Sequence, residues 1–311
     1  VSIGMVQVDK DTVDVAEIMK NIDSSCYAAK DGGGNRYHLY TKSDQDIIHR
    51  RTEMDWVIHI DSALEHNRFL LFAQPIVATD EANSEVNYEL LIRMNTAENE
   101  LVPAGTFLPA AERYNKIINI DRWVVKEALS TLSRHPQFVA SVGYCSINLS
   151  SQSLTNHNFM NFIMEQLTQH KELAKKICFE VTETAAITNL IQADRYICKL
   201  RGMGIRLSLD EFGSGLASFE YLKTLPMDYL KIDGMFVRDM VSDPIDRAMV
   251  KSIHEVGSVM GKITVAEFVE NEDILKEVKA IGVHFAQGYY VGRPMPIEKA
   301  IEQAREGRIK D

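Results

Sequence analysis

Eight short apolar runs alternate with amphipathic stretches after Asn67, and this alternation constrains the fold more than any other feature. The runs span residues 69–77, 86–94, 142–149, 176–181, 205–209, 229–232, 263–266 and 283–286. The helical patterns span residues 106–113, 121–132, 158–170, 190–203, 217–225, 245–260 and 272–281. Such an order predicts an α/β fold with a parallel sheet or a closed barrel. Eight runs and the length of residues 67–311 favour a TIM-like (β/α)₈ barrel, which needs about 250 residues. Because no helical pattern separates the first two runs, we expect the first strand to be antiparallel.

The chain before this region has a different character. Residues 1–8 and 37–40 read as strands, residues 13–30 as a helix, and the glycines at 32–34 as a turn. A piece this short makes a poor independent core. We therefore expect residues 1–42 to be an α+β remnant of a domain that continues upstream, 43–66 a linker helix, and 67–311 the barrel.

Composition excludes some classes of function. The net charge is -10, so binding to a nucleic-acid polymer is not expected, and a phosphate-rich ligand would need metal ions. No apolar run reaches the roughly 20 residues that span a bilayer. The four cysteines have no paired spacing. These features predict reduced thiols and a cytoplasmic setting, although missing upstream segments can attach a longer protein to a membrane.

Polar side chains stand on or just after the predicted strands, and in such barrels the carboxyl ends of the strands meet at one mouth. They are Glu89, Arg93, Asn148, Glu180, Glu183, Asp210, Glu211, Lys231, Asp233, Glu267, Glu270 and Gln287. Converging carboxylates repel one another unless a cation neutralises them. Oxygen ligands without His or Cys favour Mg²⁺ or Mn²⁺ over zinc.

The adjacent acids Asp210 and Glu211 allow two ions to share a ligand, which suits phosphoryl chemistry. Lys231 can hold the nucleophilic water or meet a phosphate. Taken singly, however, a strand-end acid is more often a solvated loop residue or an ion-pair partner, and Asn148 can be a helix cap. The pattern alone indicates a metal-dependent barrel hydrolase that acts on phosphate. Tyr289 and Tyr290 lie where a base would be met.

Seven short segments occur in a fixed order along the predicted barrel. They are Tyr-Glu-Leu-Leu-Ile-Arg at 88–93, Ser-Ile-Asn-Leu-Ser at 146–150, Phe-Glu-Val-Thr-Glu at 179–183, Leu-Asp-Glu-Phe-Gly-Ser-Gly at 209–215, Tyr-Leu-Lys-Ile-Asp at 229–233, Ala-Glu-Phe-Val-Glu at 266–270 and Gln-Gly-Tyr-Tyr at 287–290. Together they resemble the EAL-domain phosphodiesterases of bacteria, from about Phe72 through Pro294. The segments at 2–4, 26–30 and 34–36 resemble the end of a GGDEF diguanylate cyclase domain.

The resemblance implies a role for each matching residue. It assigns the first metal to Glu89, Asn148, Glu180 and Asp210. It assigns the second metal to Asp210, Glu211 and Glu267. Lys231 would position or activate the water. The implied catalytic residues are Glu89, Lys231 and Glu267. The residues expected to bind the substrate are Gln74, Arg93, Asp233, Glu270, Gln287 and Tyr290. Of these, Asp233 and Gln287 would also support the metal ligands. Glu183 would anchor the loop 212–219.

The implied reaction is hydrolysis of one phosphodiester of cyclic di-GMP to linear pGpG, with one or two Mg²⁺ or Mn²⁺ ions. The implied partners are a second copy of the chain and upstream GGDEF or sensor domains. A second interpretation stays open, in which the barrel binds cyclic di-GMP without turnover. A third is a barrel hydrolase for another phosphodiester.

Three residues depart from the common family pattern. Leu90 replaces an alanine beside the ligands, where we expect only a change in packing. Phe268 replaces a glycine between two acids, which would alter the mobility of that loop. Glu211 replaces an aspartate and adds one methylene, about 1.5 Å of reach, next to the second metal.

Overall fold

The computed structural model describes residues 1–8, 37–40, 45–80, 85–188, 190–213 and 225–306, together with single positions between these ranges. Those positions are Val15, Ile18, Met19, Ile22, Ser25, Cys26, Ala29, Ala82, Asn83, Leu222 and Lys223. The chain divides into two compact units. One comprises Val1–Asn67 with Gly105–Lys116, and the other comprises Arg68–Ala104 with Ile117–Asp311.

The first unit contains a small parallel sheet and a long helix. The strands β1 (Ile3–Val6) and β2 (Tyr37–Tyr40) pair in parallel, and the described positions between residues 15 and 29 are helical. Helix α1 (Gln45–Glu65) lies within the predicted linker-helix range. The guanidinium of Arg113 donates to both carboxylate oxygens of Glu53 at 2.9 and 2.7 Å. The division predicted at residues 42 and 66 stays a prediction.

The second unit is a closed barrel of eight strands. The barrel strands are β3 (Phe69–Ala78), β4 (Val86–Asn95), β6 (Cys145–Asn148), β7 (Ile177–Thr182), β8 (Arg206–Phe212), β9 (Tyr229–Ile232), β10 (Ile263–Ala266) and β11 (Phe285–Gln287). Two short strands extend it, β5 (Leu101–Pro103) by pairing with β4 and β12 (Met295–Pro296) by pairing with β3. Around the barrel the order is β3-β11-β10-β9-β8-β7-β6-β4, closed by the β3–β4 pair. Strand β3 is antiparallel to both neighbours, and the other barrel pairs are parallel.

The helices follow the predicted alternation and add several short elements. They are α2 (Ala104–Arg113), α3 (Ile117–Arg134), α4 (Pro136–Ser141), α5 (Ser151–Thr155), α6 (His157–Gln169), α7 (Glu183–Thr188), α8 (Leu190–Gly202), α9 (Gly234–Asp239), α10 (Pro244–Val259), α11 (Glu272–Ile281) and α12 (Ile297–Arg305). The helix predicted at 217–225 lies almost wholly outside the described residues. The (β/α)₈ barrel with an antiparallel first strand is confirmed.

Local chemistry sets the helix ends. The side chain of Asn271 accepts a hydrogen bond from the backbone N–H of Ile274 and caps α11, which ends at Gly282 with φ of 92°. Ser150, not Asn148, caps α5 by accepting from the N–H of Ser153. Asn148 is therefore not needed as a cap and keeps its side chain for the barrel mouth.

The end of the barrel opposite the mouth is filled with apolar and aromatic side chains. Its buried cluster consists of Ile76, Tyr144, Cys178, Tyr229, Val265 and Phe285. None of the four cysteines, all of which the structure describes, forms a disulfide. Among the described helices, none is both long and apolar enough to cross a membrane.

Candidate active site at the barrel mouth

Each barrel strand contributes one polar side chain to the same end of the barrel. These are Gln74 on β3, Glu89 on β4, Asn148 on β6, Glu180 on β7, Asp210 on β8, Lys231 on β9, Glu267 directly after β10, and Gln287 on β11. Parallel strands place their carboxyl ends at one mouth, and the period of two along a strand aims alternate side chains into the barrel. The ring predicted from the strand ends is therefore present as a set of neighbours.

Lys231 lies at the centre of this ring. Its Nζ lies 2.9 Å from Oε2 of Glu180 and 3.0 Å from Oε1 of Glu267. It also lies 3.3 Å from Oε2 of Glu89 and 3.3 Å from Oδ1 of Asp210. The side chain is only 1% exposed. One buried ammonium thus meets four carboxylates.

Amide side chains complete the shell around Glu89. The Nδ2 of Asn148 donates to Oε1 of Glu89 at 2.7 Å, and the Nε2 of Gln287 donates to Oε2 at 2.6 Å. Gln287 also reaches Oε1 of Gln74 at 3.4 Å, and Gln74 donates to the carbonyl of Gly292. Both oxygens of Glu89 are therefore fixed in direction.

Burial and charge shift the pKa values in the ring. Burial raises the pKa of Glu180 to about 8, against the attraction of Lys231. Burial and the charge of Asp210 raise the pKa of Glu267 well above its ordinary value. Burial opposes ionisation of Glu89 as well, but Lys231 and the two amide donors hold its pKa below the ordinary value. Four ionised carboxylates would exceed the charge of one ammonium, and the raised pKa values of Glu180 and Glu267 reflect burial together with this repulsion.

The surroundings of Lys231 favour its charged form. Burial by itself would lower its pKa, but the surrounding carboxylates raise it well above the ordinary value. Lys231 is therefore a cation and a hydrogen-bond donor here, and not a base.

The side chains of the ring have the chemistry of a divalent-cation site. Within the described ranges no three acidic, histidine or cysteine side chains are arranged to hold a metal ion by themselves, and the ammonium of Lys231 lies among the carboxylates instead. The donors are nevertheless carboxylate and amide oxygens with excess negative charge, which is the chemistry that Mg²⁺ and Mn²⁺ prefer. The Oε1 of Gln287 is buried and makes no hydrogen bond. The residues present fit a hard cation.

Glu211 lies next to Asp210 at the end of β8. Its φ is 55°, in the left-handed region that few residues other than glycine, asparagine and aspartate adopt readily. Its backbone N–H donates to Oδ1 of Asp210 at 3.0 Å. Burial, then the charges of Asp210 and Asp233, raise the pKa of its carboxyl. Glu211 is exposed as a residue but has a partly buried carboxyl group, and it lies on a constrained backbone beside the ring.

Two other predicted residues have clear structural partners. Glu183 is buried, and its Oε2 accepts a hydrogen bond from the N–H of Gly213 at 2.9 Å, at the start of the loop it was predicted to anchor. Most of that loop lies outside the described residues. The Oδ1 of Asp233 accepts from the N–H of Met235 at 2.8 Å and caps α9. Asp233 therefore has a local role in addition to any contact with a ligand.

A cavity of about 330 Å³ opens beside the ring. Its walls are formed by Gln74, Glu89, Leu91, Arg93, Glu267, Phe268, Glu270, Gln287, Gly288, Tyr289 and Pro294. It brings the predicted substrate residues Gln74, Arg93, Glu270 and Gln287 together. Tyr290 is not among the wall residues, whereas its neighbour Tyr289 is, with the guanidinium carbon of Arg293 4.4 Å from its ring centre.

Comparison with known proteins identifies the family of this barrel. Residues 59–294 match the family model described as "EAL domain". The cyclic di-GMP phosphodiesterase PdeB of Shewanella oneidensis is 38% identical over 292 residues, 94% of this chain and 34% of that protein. The cyclic di-GMP phosphodiesterase PdeF of Escherichia coli K12 is 36% identical over 238 residues, 76% of this chain and 31% of that protein.

A solved structure shares the fold as well. The structure described as PaMucR phosphodiesterase in a c-di-GMP complex has a TM-score of 0.73 and 30% identity, and the alignment covers 79% of this chain and 99% of that chain. The chain spans about a third of the length of the curated relatives named above. With the family model matched over most of its length and the acidic ring in place, this chain belongs to the EAL-domain family.

Proposed function

We propose that this chain hydrolyses cyclic di-GMP to linear pGpG with the help of Mg²⁺ or Mn²⁺. The observation that carries the proposal is the ring of four carboxylates around Lys231, next to a cavity with Arg93 in its wall. The names of the relatives and the ligand of the PaMucR structure point to the same substrate.

The ring supplies ligands for cations. Glu89, Asn148, Glu180 and Asp210 would hold a first ion, and Asp210, Glu211 and Glu267 a second. Bound ions would activate water and stabilise charge on the phosphate oxygens. Gln287 and Asn148 orient Glu89 through their amide hydrogens, so this carboxylate is directed before any ligand arrives.

The remaining residues act on the substrate. Lys231 would orient a water or a phosphate oxygen with a donated hydrogen bond. The cavity wall contains the guanidinium of Arg93 and the carboxylate of Glu270, which carry opposite charges. The guanidinium suits a phosphate, and the carboxylate suits the N–H groups of a guanine. Asp233 and Tyr290 stay proposals as substrate contacts, since neither forms a wall of the cavity.

The binding-only interpretation rests on Glu211, which has one methylene more than the aspartate of the common pattern. Its constrained φ fixes where that longer side chain begins. An inactive module would bind cyclic di-GMP tightly and release no product, and Glu211→Asp would then restore turnover. We favour the enzyme because the other ring residues are present and pre-positioned.

The test is a substrate panel with purified protein and Mn²⁺. Cyclic di-GMP, pGpG and cyclic mononucleotides are incubated at equal concentration, and products are separated by chromatography. The proposal predicts linear pGpG from cyclic di-GMP and little product from the others. Faster cleavage of another phosphodiester would show that the substrate is that compound and not cyclic di-GMP. Association with a second copy, with upstream GGDEF or sensor domains, and a cytoplasmic setting are further proposals for the whole protein.

A further inference from the structure

The backbone of Phe268 adopts an unusual conformation at the barrel mouth. Its φ is 52°, in the left-handed region where a bulky side chain is strained. Such a conformation persists only where the surrounding structure fixes it. The contacts of this residue show what fixes it.

The ring of Phe268 packs against one side of helix α9. A methyl group added at Gly234 would lie 2.1 Å from Cδ2 of the Phe268 ring, so the ring occupies the space that any larger residue would need. One turn later on α9, the guanidinium carbon of Arg238 lies 4.0 Å from the ring centre. The large residue at 268 and the glycine at 234 are therefore complementary in size.

This contact joins the loops after two neighbouring strands. Gly234 lies three residues after Lys231 of β9, and Phe268 directly follows Glu267 at the end of β10. The atoms Nζ of Lys231 and Oε1 of Glu267 are 3.0 Å apart. On the other side of Phe268, the N–H of Val269 donates to the carbonyl of Gln287 at 2.9 Å. The loop is thus held to α9 by a ring and to β11 by a backbone hydrogen bond.

Phe268 also meets the space in which a ligand would bind. The residue is 43% exposed and forms part of the cavity wall, together with Glu267 and Glu270. A movement of its ring would change the wall, and a movement of its backbone would shift the acids on either side. A glycine at 268 would adopt the same φ freely but would supply neither contact.

We propose that Phe268 is a positioning residue, whose ring fits against Gly234 and thereby holds Glu267 and Glu270 in place at the barrel mouth. The kinetic consequence rests on the proposed hydrolysis of cyclic di-GMP. The structural consequence does not, because it concerns the mobility of residues 267–270 in the protein without ligand.

The experiment is a double-mutant cycle with Phe268→Gly, Gly234→Ala and their combination, with Phe268→Tyr as the conservative variant. Backbone hydrogen exchange of residues 267–270 is measured first, by mass spectrometry, on the whole chain. We expect Phe268→Gly, which removes the ring, and Gly234→Ala, which fills its space, each to speed this exchange about tenfold. Phe268→Tyr should change it less than threefold, because it keeps both the ring and the glycine it packs against. Adding Gly234→Ala to Phe268→Gly is expected to change little, because the clash has gone.

The kinetic arm uses the same variants with cyclic di-GMP. Misplaced acids reduce kcat, and we expect a fall of about ten- to a hundredfold for each single variant, with KM raised less and with Phe268→Tyr close to wild type. The matched control is Gly202→Ala, because a methyl group there meets no atom within 4 Å. Its exchange and kinetics should equal those of the wild type.

Additive effects of Phe268→Gly and Gly234→Ala would overturn the proposal, as would unchanged exchange in both single variants. If the wild type hydrolyses no cyclic di-GMP, the proposed function fails, while the exchange cycle still decides whether Phe268 and Gly234 act as a pair. Thermal unfolding of every variant identifies one that has lost its fold. If Phe268→Gly does not fold, Phe268→Leu, which keeps bulk without the aromatic ring, replaces it in the cycle.

Discussion

The Nζ of Lys231 lies 2.9 Å from Oε2 of Glu180, and each of these two side chains is only 1% exposed. A buried ion pair of this kind adds little net stability, because its attraction is offset by the loss of hydration of both charges. Removal of one partner is strongly destabilising, because it leaves the other charge buried and unpaired. Three further carboxylates contact the same ammonium. Lys231 is therefore the charge on which the folded barrel mouth depends.

Replacement of this lysine tests that dependence. We expect Lys231→Met to lower the free energy of unfolding by about 3–5 kcal/mol, because it leaves buried carboxylates without their cation. Urea denaturation at pH 7 measures the change. Lys251→Met is the control, since Lys251 is half exposed and pairs with Glu255 on the surface at 3.7 Å, and it should change stability by less than about 0.5 kcal/mol. Equal effects of the two substitutions would contradict the central place given to Lys231.

Divalent cations are expected to stabilise the protein. A ligand that binds only the folded state at 100 times its Kd adds about 2.7 kcal/mol, so Mn²⁺ should raise the unfolding temperature and a chelator should reverse the rise. Glu180→Gln removes a proposed ligand and should abolish most of this shift. Glu277→Gln, whose carboxylate pairs with Arg247 away from the ring, should retain it. An Mn²⁺ shift that survives Glu180→Gln would place the ion elsewhere.

Leu90 tests whether a departure from the family pattern concerns packing alone. It is 2% exposed and neighbours Glu89 on β4, so its side chain points away from the barrel interior. Leu90→Ala should cost about 2–5 kcal/mol of stability through the cavity it creates, while kcat and KM at 25 °C stay within twofold. The half-exposed Leu101 provides the control, and Leu101→Ala should cost far less. A large loss of kcat in folded Leu90→Ala would show that Leu90 also positions Glu89.

A pair of histidines outside the site predicts a pH dependence of stability. The Nδ1 of His284 accepts the N–H of Thr264 at 3.0 Å, and Nδ1 of His254 lies 2.8 Å from the hydroxyl of the same threonine. Burial lowers the pKa of both rings, and for His254 the neighbouring His284 lowers it further, against Glu255. The folded state thus binds protons less readily than the unfolded chain.

Above the pKa of about 6.5 that histidine has in the unfolded chain, these two rings should leave the free energy of unfolding unchanged. As the pH drops below that value toward the lowered pKa values of the folded protein, the free energy of unfolding should fall. His284→Asn keeps an acceptor for Thr264 and cannot titrate, so its unfolding free energy should depend less on pH between 7 and 5. Exposed His157 gives the matched control, and His157→Asn should keep the wild-type slope. Identical slopes in all three proteins would refute the linkage.

Much of the fold could be predicted because hydrophobic period and strand-end chemistry are local signals. The bounds of β9, β10 and α11 coincide with the predicted ranges, since Tyr229–Ile232, Ile263–Ala266 and Glu272–Ile281 are uninterrupted patterns. The short helices α4, α5, α7 and α9 were missed, and so was the nine-residue helix α12. For the short ones the reason is their length. Five or six residues make too few turns to show a 3.6-residue period.

The ring residues could be predicted as a set because the carboxyl ends of parallel strands meet at one mouth. Their arrangement could not, since no sequence pattern shows that Lys231 would contact four acids. The left-handed backbone of Glu211 and Phe268 was equally hidden, because both residue types disfavour it. Between Tyr289 and Tyr290, only the path of an irregular loop decides which ring forms the cavity wall.

The most direct test of the central claim is the release of linear pGpG from cyclic di-GMP by the wild-type protein, compared with Glu89→Gln under the same Mn²⁺ concentration. Glu89 accepts hydrogen bonds from Asn148 and Gln287 and contacts Lys231, so the glutamine keeps the shape and removes the charge. We predict multiple turnovers by the wild type and a loss of at least about a hundredfold in kcat for Glu89→Gln. Tight binding of cyclic di-GMP by the wild type without any pGpG, or equal rates in both proteins, would contradict the account.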